Sequence, residues 1–232
     1  MFHDTLPGLT LSSFTATGVS ANPTASGAFS FSQWGTGATQ GNTAYSQLTG
    51  TLCAAKYYQV TVSPEFARAM SLNGMTFNVG RTATGPRTFA VRSSVDNYAN
   101  NLAATVIPVG SALSVQGTNT FFFKADTALT VTGSTITLPV LAYSNPLTFT
   151  HLANPVTFRI YAWNAEDASG SFSVDSLTLN GTYGNIENVQ NYMEYSGCNY
   201  MFTDDQSDRM RAILNTNISG RKRGSVIGAI TR

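Results

Sequence analysis

Charged side chains are scarce in this chain of 232 residues, where they make up only 11% of the total. Soluble globular domains usually carry about 25%, so hydroxyl and amide side chains must supply much of the solubility here. That composition is common in extracellular β-rich modules, and we therefore expect a secreted protein. The formal net charge is only +1, which argues against nucleic acid or an acidic membrane surface as a partner, because both attract strongly basic proteins.

Long apolar runs are also missing. No stretch approaches the roughly 18 apolar residues that a membrane-spanning helix needs, so no membrane span is predicted. The first residues, Met1 to Asp4, have neither the basic start nor the apolar stretch of a signal peptide. If the protein is exported, we expect its leader to lie outside this sequence, which would then be a fragment of a longer protein.

Histidine and cysteine occur only twice each. A hydrolytic zinc site of the metallopeptidase type needs three imidazoles, two of them one helical turn apart. Neither His3 nor His151 is followed by a glutamate or has a second histidine four residues away, so zinc is not an expected cofactor and proteolysis by this chain alone is excluded. Cys53 and Cys198 can form one disulfide or remain free thiols, and we favour free thiols.

Short β-strand patterns fill the chain before residue 184. Alternating or β-branched runs separated by turn signals such as Gly85-Pro86 predict strands at Tyr57–Val62, Met75–Val79, Thr88–Arg92, Thr120–Lys124, Leu129–Leu138, Val156–Trp163 and Phe172–Leu179. The last run loses its alternation near Asp175-Ser176, which predicts a β-bulge. Many short strands with frequent turns indicate an all-β fold, and we predict a jelly-roll-like antiparallel β-sandwich.

The density of charge changes sharply after residue 183. Residues 1–183 carry seven basic and seven acidic side chains, whereas 184–232 carry six and five. We therefore predict a β-sandwich module over 1–183 and a separate C-terminal segment over 184–232 that is not an independent domain. Thr203 and Gln206 have the spacing of a capping box, which predicts a helix over 204–215 as a short C-terminal appendage.

Sugar binding would need exposed aromatic rings beside polar groups, and Trp34 and Trp163 are the candidate ligand-binding residues. The alternative, which we favour, is that both rings pack in the core or at its rim. Glu166-Asp167 is the one adjacent acidic pair of the module, and its turn-like surroundings favour a solvated loop over a glycosidase pair. Such a loop offers oxygen ligands suited to structural calcium, without a spacing specific for it.

Residues 9–181 resemble a β-sandwich module of secreted multidomain proteins from Bacteroidota-type bacteria. The resemblance rests on Ala55–Val62, Gly85–Ser94 with Asp96, Pro155–Tyr161 and Phe172–Gly181. Residues 109–145 match less well and are interpreted as an insertion. In that family the modules accompany catalytic or adhesive domains, which implies a glycan or a neighbouring domain as partner.

The C-terminal segment resembles the end of a pappalysin-type (M43) metallopeptidase domain. The similarity rests on Asn185–Cys198, Met201–Thr203, Gln206 and Arg209–Asn215. It implies that Met193 is the Met-turn methionine, that Tyr195 is the tyrosine near the metal, and that Cys198 would pair with a cysteine earlier in the catalytic domain. The three-histidine motif that holds zinc in such enzymes is absent from this sequence.

Two functional hypotheses follow. The first is a non-catalytic extracellular accessory module that binds a ligand, with glycan as one candidate, or acts as a spacer. The alternative is a fragment of a pappalysin-like secreted metallopeptidase whose zinc motif lies outside this chain. The order is unusual in either case, because in that family the β-modules generally follow the protease domain.

Overall fold

The computed structural model describes residues 8–22, 29–66, 68–108, 112–138 and 149–185. Within these ranges the regular structure is almost entirely β-strand, with two three-residue 3-10 turns at Tyr45–Gln47 and Ser94–Asp96. The strands are β1 Leu9–Leu11, β2 Thr15–Thr17, β3 Ser20–Ala21, β4 Phe29–Ser32, β5 Tyr57–Pro64, β6 Arg68–Arg81, β7 Thr88–Ser93, β8 Ala104–Val106, β9 Leu113–Gln116, β10 Thr120–Phe123, β11 Leu129–Thr137, β12 Val156–Trp163 and β13 Phe172–Asn185.

These strands form two antiparallel sheets. The first sheet has the order β1-β5-β12-β7-β10-β9, with β2 also paired to β5, and the second has the order β3-β4-β13-β6-β11-β8. From β5 to β9, and again from β10 to β13, each strand lies in the sheet opposite to its predecessor. Such crossing between two sheets is the connectivity of a jelly roll. The predicted all-β, jelly-roll-like antiparallel sandwich is therefore confirmed.

Side-chain alternation directs one face of each strand into the space between the sheets. In β5 the side chains of Tyr58, Val60 and Val62 are buried, while their neighbours in the strand are only half-buried. In β12, Phe158 and Ile160 are buried in the same core. The alternate residues of these strands therefore lie on the outer face of the first sheet. That face carries a second, smaller apolar cluster, formed by Ala90, Tyr161 and Trp163, which we call the outer-face cluster.

All seven predicted strands occur, and four of them (β5, β6, β7 and β13) are longer than predicted, most of all β6 and β13. The short strands β1 to β4, β8 and β9 were not predicted. Val156–Trp163 has the predicted bounds, and the register of β13 shifts between Asp175 and Thr178, as the bulge prediction required. The predicted strand Met75–Val79 lies within β6, which starts at Arg68 and ends at Arg81. Its extra length follows from tertiary pairing, because β13 pairs along it to its first residue and supplies hydrogen bonds that local pattern does not reveal.

The proposed C-terminal appendage lies outside the described residues. This applies to the helix predicted over 204–215, to Met193 and Tyr195, and to Cys198. Strand β13 reaches Asn185, two residues past the predicted boundary, and the division into 1–183 and 184–232 stays a prediction. Within the described ranges, no helix has the length and apolar character needed to cross a membrane.

Candidate functional site

Four connecting segments meet at one end of the sandwich. They are residues 33–56 between β4 and β5, 82–87 between β6 and β7, 124–128 between β10 and β11, and 164–171 between β12 and β13. In β-sandwiches, segments that cluster at one end of a rigid scaffold are frequent places for function. This end of the molecule therefore carries the candidate functional site.

Two arginines, Arg81 and Arg87, are buried at this end, and both side chains are fully inaccessible to solvent. Arg81 Nη2 lies 3.4 Å from Glu166 Oε1 and 3.6 Å from Asp126 Oδ1. Arg87 Nη1 lies 3.0 Å from the same Asp126 oxygen. Charged side chains are almost never fully buried without partners, so these four residues form one ion-pair network, which we call the loop-end network.

The arginines of the loop-end network also bind the connecting segments directly, because their guanidinium groups donate to main-chain carbonyls. Arg81 donates to the carbonyls of Ala83, Gly85, Ala125 and Thr127 at 2.5 to 3.2 Å. Arg87 donates to those of Asn42, Phe123 and Lys124 at 2.8 to 3.3 Å. The donors are therefore engaged within the protein, which suits holding loops in place better than binding a ligand.

The two carboxylates of the network have opposite shifts in pKa. Burial raises the pKa of Glu166, and its hydrogen bond with Asp126 and the negative charge there raise it further, against the opposing effect of Arg81. Burial alone would also raise the pKa of Asp126. Hydrogen bonds from Glu166 and the Gly41 amide, with the charges of Arg87 and Arg81, outweigh burial and lower that pKa below its usual range. Asp126 therefore loses its proton at a lower pH than Glu166 does.

This geometry does not match a glycosidase. In retaining enzymes the two carboxyl groups are about 5 Å apart, and in inverting enzymes farther, so that a sugar carbon or a water fits between them. Here Asp126 and Glu166 both contact the same nitrogen of a buried arginine, Arg81 Nη2, at 3.6 and 3.4 Å. Asp167, the other acidic residue named from the sequence, is exposed and accepts a hydrogen bond from the Ser169 amide at 2.7 Å. The side chains of Glu166 and Asp167 therefore have different surroundings, as expected for neighbouring residues of a loop, and do not form a catalytic pair with each other.

Asn164 ties a further segment to this end of the sandwich. Its backbone is left-handed, with φ of 60°. Its Oδ1 accepts from the Gly50 amide at 2.7 Å, and its Nδ2 donates to Thr88 Oγ1 at 2.9 Å. Asparagine tolerates the left-handed region better than most residues. Asn164 thereby fixes the long 33–56 segment over the outer face of the first sheet.

Replacing Asn164 with alanine should lower the free energy of unfolding by about 1 to 3 kcal/mol, because one buried and one partly buried hydrogen bond are lost and alanine disfavours the left-handed region. Urea unfolding followed by circular dichroism measures this change. Asn164→Gly is the matched control, since glycine suits the backbone and removes only the hydrogen bonds. A wild-type midpoint in both variants would contradict this role.

Both tryptophans named as candidate ligand-binding residues are buried. Trp34 is 2% exposed and lies in the main core, where its Nε1 donates to the Phe31 carbonyl at 2.8 Å. Trp163 is 6% exposed and belongs to the outer-face cluster, with Leu52 of the 33–56 segment packed against that cluster. The structure does not bring the two rings into one surface. Its geometry favours packing roles for both.

The described residues do not fit a catalytic zinc ion. His151 is exposed in a loop, with φ of 52°, and within the described ranges no three histidine, cysteine, aspartate or glutamate side chains gather as metal ligands would. Cys53 is a half-buried free thiol. The Met-turn candidates Met193 and Tyr195 lie outside the described residues, so their roles stay predictions.

Sequence reasoning missed the arginines of the loop-end network and Asp126. A signal was present: residues 1–183 hold only seven basic side chains, and Arg81 and Arg87 flank the turn that contains Gly85-Pro86. In a chain with so few charges, an arginine next to buried strands predicts an oppositely charged partner. The identity of that partner depends on which loops meet, which the sequence pattern does not reveal.

Comparison with known protein families gives a match for the last part of the described sandwich. Residues 162–215 match the model of the peptidase M43 family, described as pregnancy-associated plasma protein-A. The match supports a pappalysin-like relationship for that segment, which is under a quarter of the chain. It starts at the end of β12, includes the 164–171 loop and all of β13, and continues past the described residues. No curated protein and no solved structure matches the chain.

Proposed function

We propose that this chain is a non-catalytic part of a pappalysin-like secreted metallopeptidase, with its zinc-binding motif outside the sequence given. The observation that carries the proposal is the family match over residues 162–215. This match joins the last strands of the sandwich to the segment containing Met193. A spacer or glycan-binding module unrelated to peptidases would have no reason to carry such a segment.

The histidine content supports the non-catalytic part of the proposal. The chain contains two histidines, and a hydrolytic zinc centre of this family needs three, with a glutamate as general base. In this proposal the sandwich accompanies the peptidase domain, and the Met193 segment is part of that peptidase domain. Zinc would then be a cofactor of the whole enzyme and would not be held by this chain. Structural calcium stays a prediction.

The glycan hypothesis based on Trp34 and Trp163 has less support. Carbohydrate-binding aromatic rings stack on sugars through an exposed face, and both of these rings are buried. The resemblance of residues 9–181 to a module of Bacteroidota-type proteins stays a prediction. It is compatible with the peptidase proposal, since such modules accompany catalytic domains.

The gene context tests the proposal directly. Sequencing the genomic DNA on both sides of this coding region should reveal, in the same reading frame, a His-Glu-x-x-His-x-x-Gly-x-x-His motif. An uninterrupted frame that contains no such motif would reject the peptidase proposal and leave the accessory module as the better explanation. The result is independent of whether the isolated chain folds well.

The purified chain alone should not hydrolyse protein substrates. With zinc present, cleavage of a fluorescently labelled gelatin should equal the buffer background, because the ligands that would activate water are missing. A zinc-dependent activity that a chelator removes, and that His151→Ala abolishes, would contradict this expectation. The same assay on the His151→Ala variant controls for contaminating proteases, whose activity the substitution would leave unchanged.

A further inference from the structure

The outer face of the first sheet carries a row of polar side chains across three neighbouring strands. Gln59 of β5 is directly opposite Arg159 of β12, and Arg159 is directly opposite Arg92 of β7. Tyr57 and Tyr161 lie two residues farther along β5 and β12, on the same face. We call these five side chains, together with Tyr98 from the turn after β7, the arginine-tyrosine face.

Two arginines, Arg92 and Arg159, are directly opposite each other on this face, and neither has an ion-pair partner among the described residues. Every ion pair in the described part of the chain involves Arg81 or Arg87, and none involves Arg92 or Arg159. Like charges directly opposite each other on adjacent strands destabilise a sheet. In a module with only seven basic side chains in residues 1–183, this pairing needs an explanation.

Both guanidinium groups are held in fixed orientations. The Arg159 guanidinium carbon lies 4.1 Å from the Tyr57 ring centroid and 3.9 Å from that of Tyr98, and its Nε donates to Gln59 Oε1 at 3.0 Å. Arg92 donates from Nε to Asn101 Oδ1 at 2.8 Å and from Nη1 to the Tyr98 carbonyl at 3.0 Å. Within the described residues Arg92 Nη2 has no hydrogen-bond acceptor.

The backbone at Tyr98 is in an unfavourable conformation. Tyr98 has φ of 60° and follows Asn97, which has φ of 55°. A bulky residue rarely adopts this left-handed region, and such strain tends to cluster at functional sites. The conformation is held by the Tyr98 amide, which donates to the Ser93 carbonyl at 2.8 Å, and by the contact from Arg92. It places the ring over Arg159.

Tyr161 adds a neutral hydrogen-bond donor beside the two cations. Burial raises its pKa, and this effect outweighs the opposing influence of Arg159 and Arg92. Its hydroxyl therefore stays protonated at physiological pH. Its ring is buried and packs edge-on against Tyr57, with centroids 5.6 Å apart, so its position beside the arginines is fixed.

We propose that the arginine-tyrosine face is a binding site for a single oxyanion group, such as a carboxylate or sulfate, with Arg92 and Arg159 as its ligands. Planar guanidinium groups bind such anions through paired hydrogen bonds. A bound anion would pair with both guanidinium groups and accept from Arg92 Nη2. Two cations on a chain of net charge +1 suit one anionic group and do not suit a polyphosphate backbone.

This inference goes beyond the proposed function, because β5 and β7 lie outside the segment that matches the peptidase family. The site needs neither zinc nor the Met193 segment. Its failure would leave the peptidase proposal unchanged, and a failed gene-context test would leave this site unchanged.

Calorimetric titration of the whole chain at low ionic strength tests the site. Sodium sulfate and sodium glucuronate represent an inorganic and a sugar-borne oxyanion, and sodium chloride at equal ionic strength is the reference. We expect saturable binding of at least one oxyanion, and a bound ligand should also raise the melting temperature. The Arg92→Gln/Arg159→Gln double variant should bind at least tenfold more weakly. Sulfate binding without glucuronate binding would identify an inorganic-type site, and the reverse a carboxylate site.

Arg68→Gln is the matched control. Arg68 also lies over a tyrosine ring, with its guanidinium carbon 5.7 Å from the Tyr183 centroid, but it belongs to the second sheet. The Arg68→Gln variant should therefore bind the oxyanion as the wild type does. If the double variant does not fold, Tyr98→Gly replaces it, because glycine adopts the left-handed backbone without strain and removes one ring from Arg159. That variant should fold and bind more weakly. Equal affinity in all variants, or equal effects of chloride, would overturn the proposal.

Discussion

Replacing Asp126 with asparagine is expected to lower the free energy of unfolding at pH 7 by about 3 to 5 kcal/mol. Asp126 Oδ1 lies 3.0 Å from Arg87 and 3.6 Å from Arg81, whose side chains are fully buried. The neutral amide would leave two buried cations with only Glu166 nearby. Urea unfolding followed by circular dichroism measures the loss, and the three loops held by the arginines should become more sensitive to protease.

Glu166→Gln is the matched substitution, and its effect should be much smaller, within about 1 kcal/mol of the wild type. The pKa of Glu166 is raised, chiefly by burial, so the fold stabilises the charged form of Glu166 less than it stabilises that of Asp126. Glutamine keeps the volume and an oxygen that accepts from Arg81. Equal losses in the Asp126→Asn and Glu166→Gln variants would contradict the larger role assigned to the charge of Asp126.

The pH dependence of stability should separate the same two residues. The pKa of Asp126 is lowered in the fold, so its contribution is present above its unfolded pKa of about 3.9 and is lost as the pH falls through its folded pKa. The pKa of Glu166 is raised, so its contribution is present at low pH and is lost as the pH rises through its folded pKa. Unfolding midpoints between pH 3 and 8 should show a weaker acid-induced loss in Asp126→Asn.

Truncation of Phe172 to alanine is the second large effect, with an expected loss of about 3 to 5 kcal/mol. Phe172 is fully buried at the start of β13. Its ring centroid lies 5.3 Å from that of Phe89 and 5.9 Å from those of Trp34 and Tyr58. Because these rings come from both sheets and from the 33–56 segment, the cavity would weaken the contact between layers.

The control for Phe172→Ala is Phe66→Ala. Phe66 is 100% exposed, so the same chemical change should alter the free energy of unfolding by no more than about 0.5 kcal/mol. Equilibrium unfolding in urea compares the two variants under the same conditions. A similar small loss in both would mean that Phe172 does not bridge the two sheets as its ring contacts indicate.

Seven of the thirteen strands that the structure describes were predictable, because their signal is local. Tyr57–Val62 and Val156–Trp163 show the period of two that a half-buried strand requires, and the bulge near Asp175 appears as a break in that period. The length of β6 was not predictable, because its first residues pair with β13 and have no pattern of their own. The polarity of the chain and its lack of histidine are likewise properties of composition alone.

The candidate sites needed the tertiary structure. The sequence around Trp34 does not show whether its ring is exposed for a sugar or buried in the core. The structure shows that it is buried, because Tyr58 and Phe172 pack against it. Arg87 meets Asp126 because the loops after β6 and β10 lie at the same end of the sandwich.

By itself, the sequence determined that the chain forms a β-sandwich, that it has too few histidines for a hydrolytic zinc centre, and that its last part resembles a peptidase segment. Only the tertiary structure decided that Arg81 and Arg87 are buried beside two carboxylates and that Arg159 faces Arg92. The physical reason is distance along the chain. Strand periodicity is a property of neighbouring residues, whereas charge pairing depends on strand order and register, which are set by the packing of the whole sandwich.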